Sequence, residues 1–185
     1  SMQELIALAK KQPGKLNASS AGIGSAAHLA LALLENTSGA KFNHVPFKGG
    51  GPSMIALVAG QVDVSIPAYP TAVPHIKAGK IRILAVTGAK REPTAPDVPT
   101  VAETVPGYEF TIWFALYAPT GTPQAIITRL NQELVEALAK PDMHEKLARA
   151  GVNAGSSTPE ALGKYLRAEV AKWAKVVKAA GIPIN

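Results

Sequence analysis

The chain has no cysteine, and only 5% of its residues are aromatic. The first absence excludes disulfides and thiolate metal sites, and is compatible with any compartment. The second leaves little material for base-stacking platforms. No apolar run approaches the roughly 18–20 residues needed to span a bilayer. No secretory signal opens the chain; the Ser1-Met2 start reads as artificial, so a removed leader is compatible with it. Acidic residues are also scarce: 13 Asp and Glu stand against 19 Lys and Arg, for a net charge of +6. That balance suits an anionic partner. What remains is ordinary: 185 residues, 47% hydrophobic and 17% charged, enough to bury a core as one large domain or two small ones.

Nucleic acid is the first anion to test, and it fits poorly. The best basic segment is "YLRAEVAKWAKVVKAAG", with Arg167, Lys172, Lys175 and Lys178. Leu162, Leu166, Val170, Trp173, Val177 and Ala180 recur through it at three- and four-residue spacing. It therefore reads as an amphipathic helix with a solvated basic face, and no nucleic-acid partner is expected.

Helices and strands alternate along the first half. "QELIALAKK" predicts a helix stopped at Pro13-Gly14, "KLNAS" a strand, and Ser25–Ser38 a helix ended by Gly39. "FNHVP" is a strand, "PSMIALVAG" a helix, "VDVSI" a strand, and Pro70–Ala78 a helix stopped by Gly79. "IRILAVT" is the most strand-like run. This alternation predicts an α/β fold with a parallel sheet. Beyond Thr87 the pattern lapses into a long ordered loop carrying Pro93, Pro96, Pro99 and Pro106. "FTIWFALYAP" predicts an apolar strand, and three helices follow. Their expected starts are Thr122 as N-cap with Pro123 at N1, a capping box from Asp142 and Glu145, and Ser157 or Thr158 before Pro159. The predicted division is residues 1–108 as an α/β module and residues 109–185 as a crossing strand with helices.

Two strand-to-helix turns carry the chemistry. In "SSAGIGSAAH", Ser20, Gly22, Gly24, Ser25 and His28 lie where a helix N-terminus offers free N–H groups to an anion. The third glycine of a dinucleotide fingerprint would fall at Ala27, and no Gly-Lys-Ser/Thr closes a phosphate loop. Packing explains a lone Gly-x-Gly as well as a ligand does. "HVPFKGGGPS" repeats the arrangement with Lys48, Gly49, Gly50, Gly51 and Ser53. Three consecutive glycines imply positive φ or close backbone approach. In a parallel sheet both turns fall at the carboxyl edge, where open α/β sheets bind ligands.

Catalysis is the rival class. The four histidines (His28, His44, His75 and His144) show no metal spacing. Ser25, His28 and Asp63 can be drawn as a triad, but no Gly-x-Ser-x-Gly elbow accompanies them. His28 is expected to bond locally or brace its turn, and Asp63 to fix a turn. No enzyme, metal or cofactor is expected.

Taken in order, "GKLNASSAGIGSAAHLALALL", "HVPFKGGGPSMIALVAGQVDV", "PHIKAGKIRILAVTGAKREPTAPDVPTVAE" and "WFALYAPTGTP" resemble the substrate-binding receptors of tripartite tricarboxylate transporters, the Bug receptors. Ala18 stands where an aromatic is common in that family. The resemblance implies a fold like the type II periplasmic binding proteins, and a periplasmic receptor that hands a small carboxylate to membrane transporter subunits. It implies one nearly complete parallel-sheet lobe plus the C-terminal helical part of the other. It also implies carboxylate contacts from Ser20, Gly22, Gly24, Ser25, His28, Lys48, Gly49, Gly50, Gly51 and Ser53, with Pro67, Ala68 and Trp113 near the cleft. Nothing matches the family's N-terminal strand or its "PFxxGGxxD" loop, so an N-terminal segment is expected to be missing. Leu130, Leu134, Leu138, Leu162, Leu166, Val170 and Trp173 would then lack part of their partner surface, and a homo-oligomer is expected. The alternatives are a carboxylate-sensing module of the same fold and, behind it, a hydrolase.

Overall fold

The computed structural model describes residues 1–92 and 95–183; Pro93, assigned above to the proline-rich loop, lies outside them. The chain divides into two compact units, one made of residues 1–112 with the chain from Trp173 onward, the other of Trp113–Lys172.

In the first unit α1 (Met2–Lys11) opens with a capping box between Ser1 and Glu4, and puts Met2, Ile6 and Ala9 into the core. Three βα units follow: β1 (Asn17–Ser20) with α2 (Ala26–Ser38), β2 (Asn43–Pro46) with α3 (Gly50–Val58), and β3 (Val64–Ser65) with α4 (Tyr69–Lys77). The strands form a parallel sheet in the order β2-β1-β3, with Ala18 opposite both His44 and Val64. The central strand is therefore the first one made. Asp63 locks its start: the Asp63 carboxylate accepts the Asn17 N–H at 2.7 Å while the Asp63 N–H donates to the Asn17 carbonyl. Ser25 caps α2, and Gly39 ends it at φ 72°, both as the sequence predicts.

The core gathers Ala18, Leu31, Leu34, Phe42, Val101, Val105, Tyr108, Phe110, Val176 and Ile182. Tyr108, only 1% exposed, donates from its hydroxyl to the Ala30 carbonyl at 3.3 Å, and burial pushes its phenol pKa up. Val176 and Ile182 come from α7 (Pro159–Ala180) and the residues after it. A short 3₁₀ turn, Val101–Glu103, holds the end of the proline-rich loop. There Arg91 grips Glu103 through two bonds of 2.9 and 2.6 Å. That pairing, with the Thr100 N–H, holds the Glu103 carboxyl down at about 2.

Two predicted strands do not form. In "IRILAVT" only Val86 pairs, by an isolated bridge to Thr100, and "FTIWFALYAP" joins no ladder, although the Phe110 N–H donates to the Thr87 carbonyl at 2.9 Å. Apolar pattern reports burial but cannot report whether a neighbouring backbone exists to complete the ladder.

The second unit has α5 (Gln124–Ala139), α6 (Pro141–Arg149) and the first part of α7. Two expected caps are corrected. Pro123 is the N-cap of α5, with Thr122 bonded instead to the Pro119 carbonyl. Lys140 is the N-cap of α6, with Asp142 and Glu145 paired to Lys146 and Arg149 one turn on. In both, proline at the helix start supplies the fixed φ that the cap would otherwise secure. Thr158 does cap α7, accepting the Ala161 N–H. None of the residues 113–172 is buried. Leu130, Leu134 and Val170 are 44%, 38% and 60% exposed, and Leu138, Leu162 and Leu166 are half-buried; Trp173 departs from the expectation, packing edge-on against Phe110 of the core at 5.5 Å.

Tyr108→Ala should therefore cost about 3–5 kcal/mol in urea denaturation, and Tyr108→Phe about 1 kcal/mol or less. At concentrations low enough to keep the chain monomeric, Leu134→Ala should change stability by less than about 0.5 kcal/mol. A large loss at Leu134 would mean that α5 has a core the structure does not show.

Candidate functional site

Because β2, β1 and β3 are parallel neighbours, α2, α3 and α4 all begin at one edge of the sheet. Helix N-termini carry amides without intrahelical partners and the positive end of the dipole. At α3 and α4 no side chain caps the helix. The three turns (residues 20–28, 46–53 and 65–71) contain no Asp or Glu, and Lys48 is their one lysine or arginine. Lys48 is exposed and has no acidic partner among the described residues.

The first two turns are fastened to each other by main chain. The Phe47 N–H donates to the Ser20 carbonyl and the Gly49 N–H to the Ala21 carbonyl, both at 3.0 Å. Gly22 has φ +133°, and a Cβ there would meet the Phe47 carbonyl oxygen at 3.4 Å. That is ordinary van der Waals contact, so it is the positive φ that requires glycine at Gly22. Gly24 and Gly49 also hold positive φ, of +75° and +107°, but face open space. Gly50 and Gly51 correct the expectation for the triple glycine: neither has positive φ, and a Cβ on either would touch nothing within 4 Å. As the first residues of α3, they leave its amides uncovered instead.

The serines serve the turns. Ser20, wholly buried, accepts the Gly22 N–H and donates to the Gly22 carbonyl, both at 3.1 Å. Ser53 is buried and donates to Ser19 at 2.8 Å. Ser25 is half-buried, and its oxygen accepts the His28 N–H. His28 braces the turn as expected, its Nδ1 accepting the Gly24 N–H at 3.0 Å.

His44 is the residue that sequence reasoning missed. Its ring stacks on His28 with centroids 3.9 Å apart, and its Nε2 lies 2.6 Å from Ser20 Oγ. The pairing of Ala18 with His44 puts His44 and Ser20 on one face of the sheet, since alternate residues share a face. A parallel β1–β2 register was the signal that could have found it. Ser20 and His44 make a serine–histidine contact, but the serine is buried and bonded within its own turn, which makes the pair a brace.

Pro67 and Ala68 follow β3 at the same edge, Pro67 half-buried and Ala68 exposed as the N-cap of α4. Trp113 belongs to the second unit, where it packs edge-on against Tyr165 at 5.3 Å.

Burial, followed by the proximity of His28, lowers the His44 pKa from 6.5 to about 4; burial lowers that of His28 as well, against the raising influence of Glu35. Between pH 6.5 and about 4 the unfolded chain binds a proton that folded His44 refuses, so stability falls as pH falls through that window. Urea midpoints should drop on acidification from pH 7 to pH 4.5, and His44→Asn should flatten that slope. An unchanged slope in the variant would show that the imidazole pair does not carry the effect.

A family model described as "Tripartite tricarboxylate transporter family receptor" matches residues 1–182. Among curated proteins, the chain is 39% identical to the UPF0065 protein of the tcbD-tcbE intergenic region of Pseudomonas sp. strain P51, over 94% of this chain and 52% of that one. It is 36% identical to BugT of Bordetella pertussis, over 100% of this chain and 57% of that one. The chain thus spans about half the length of these two relatives. Among solved structures it is similar to R. palustris Rpa4515 with adipate, at TM-score 0.87 and 39% identity, covering 98% of this chain and 61% of that one. It is also similar to MatC (Rpa3494) of Rhodopseudomonas palustris with bound malate, at TM-score 0.76 and 33% identity, covering 94% and 60%. By sequence and fold alike, the chain belongs to the receptor family of the tripartite tricarboxylate transporters.

Proposed function

We propose that this chain is the carboxylate-binding part of a periplasmic solute receptor serving the membrane subunits of a tripartite transporter. The observation that carries the reading is the sheet edge itself. Three helix N-termini and Lys48 meet there, with no acidic side chain in any of the three turns. Charge-assisted bonds from amides and an ammonium favour an ionised carboxylate over a neutral or cationic ligand. The relatives support the class, since two of the similar structures hold adipate and malate. The periplasmic setting rests on the family and on the likeness to the periplasmic binding protein BugD. The ligand contacts proposed are Ser25, Lys48, Gly49, Gly50, Gly51 and Ala68, with Ser20, Gly22, Gly24, His28 and Ser53 holding the turns and Pro67 beside them. Residues 1–108 are the ligand lobe in this reading, and residues 109–185 contribute to the other lobe. Its chemistry is capture and release, without catalysis.

The absence of any buried residue in 113–172 supports a further part of the reading. Apolar α5 side chains left in water invite a second polypeptide surface, and self-association of this chain supplies one. Light scattering after size exclusion should give a dimer or larger species; a stable monomer would contradict this.

Thermal-shift and calorimetric screens should show stabilisation by small carboxylates, and none by sugars or amines. Lys48→Met should weaken carboxylate binding about tenfold, the worth of one charge-assisted bond, without moving the urea midpoint. Stabilisation by neutral or cationic compounds only would overturn the carboxylate reading.

A further inference from the structure

Two amides of the first turn are held by side chains, and one ring touches both holders. Ser20 Oγ accepts the Gly22 N–H at 3.1 Å and also bonds the Gly22 carbonyl. His28 Nδ1 accepts the Gly24 N–H at 3.0 Å. His44 comes from the neighbouring strand β2. Its Nε2 lies 2.6 Å from Ser20 Oγ, and its ring stacks on His28 with centroids 3.9 Å apart and planes 11° from parallel.

The turn needs such holders. Gly22 and Gly24 both have positive φ, at +133° and +75°, and glycine has more conformational freedom to lose than any other residue. Without ties the stretch between Ser20 and Ser25 would sample other shapes, and the start of α2 would move with it. His44 also stands four positions before Lys48, on the strand that leads into the second turn. Main-chain bonds from Phe47 and Gly49 already join the two turns; His44 adds a side-chain link from β2 to both holders of the first. Burial keeps its ring neutral at pH 7, so it contributes geometry rather than charge.

We propose that His44 is a positioning residue for carboxylate capture: through Ser20 and His28 it fixes the turn that starts α2, and so aims the free N–H groups of that helix at the ligand. The proposal rests on the carboxylate reading above and deepens it with a residue that itself touches no ligand.

Titration calorimetry with adipate, and amide hydrogen exchange without ligand, test the two links separately on the full chain. His44→Phe keeps a ring for the stack and removes the bond to Ser20. It should speed exchange of the Gly22 and Gly24 amides and weaken adipate about tenfold. His44→Gln returns a donor and an acceptor to Ser20 and should bind within about threefold of the unaltered chain. Ser20→Ala should reproduce the loss, which keeps the test decisive if the phenyl ring packs badly. Adding His44→Phe to Ser20→Ala should cost nothing further, because the two residues act through one bond. Val105→Ala, a core truncation outside the three turns, should lower the urea midpoint and leave adipate affinity unchanged. Full affinity in His44→Phe, no rescue by His44→Gln, additive losses in the double variant, or an equal loss in Val105→Ala would overturn the positioning role and leave the carboxylate reading standing. If the unaltered chain binds no carboxylate, both fall together.

Discussion

The site depends on two parallel strands passing close enough for their turns to share main-chain bonds. The Ser20 and Ala21 carbonyls accept from Phe47 and Gly49, and Gly22 supplies the positive φ of the turn between them. Each bond is modest in net free energy, but together they fix the starts of α2 and α3 relative to one another. Once those starts are fixed, the direction of their free amides follows from helix geometry. Side chains complete the arrangement from both faces of the sheet: Ser20, His44 and His28 on one, and Ser19 with Ser53 on the other.

The histidine pair shows how such a site stays uncharged where it must. Two stacked imidazoles cannot both ionise cheaply at 3.9 Å, and burial pushes each toward the neutral form. His28 in its neutral form can accept the Gly24 N–H; an added proton on Nδ1 would remove that acceptor. The positive character of the edge then comes from the backbone amides and Lys48.

Much of the first unit was legible because its signals are local. Ser25 and Gly39 bracket α2, glycines mark the two turns, and alternating helices and strands announce a parallel sheet. The family resemblance, carried by motifs in order along the chain, agrees with the family match over residues 1–182. Non-local features were not legible. "IRILAVT" reads as a strand because its side chains are apolar, yet only Val86 finds a ladder partner. Gly50 and Gly51 suggested strain, and turned out to lie in open space at the start of α3. His44 drew no attention because its partners, Ser20 and His28, lie 24 and 16 positions away in the chain. At α5 and α6 the prolines shifted the caps by one or two positions, a displacement that depends on which residue ends up holding the helix entrance.

The central claim is that one edge of the sheet holds the carboxylate. It is tested most directly by amide chemical shifts of the ¹⁵N-labelled chain titrated with adipate. The account predicts shifts concentrated in residues 21–28, 48–53 and 66–71, saturating together, with the Gly50 and Gly51 amides among the largest. Saturable shifts located elsewhere, with those three turns unmoved, would contradict it.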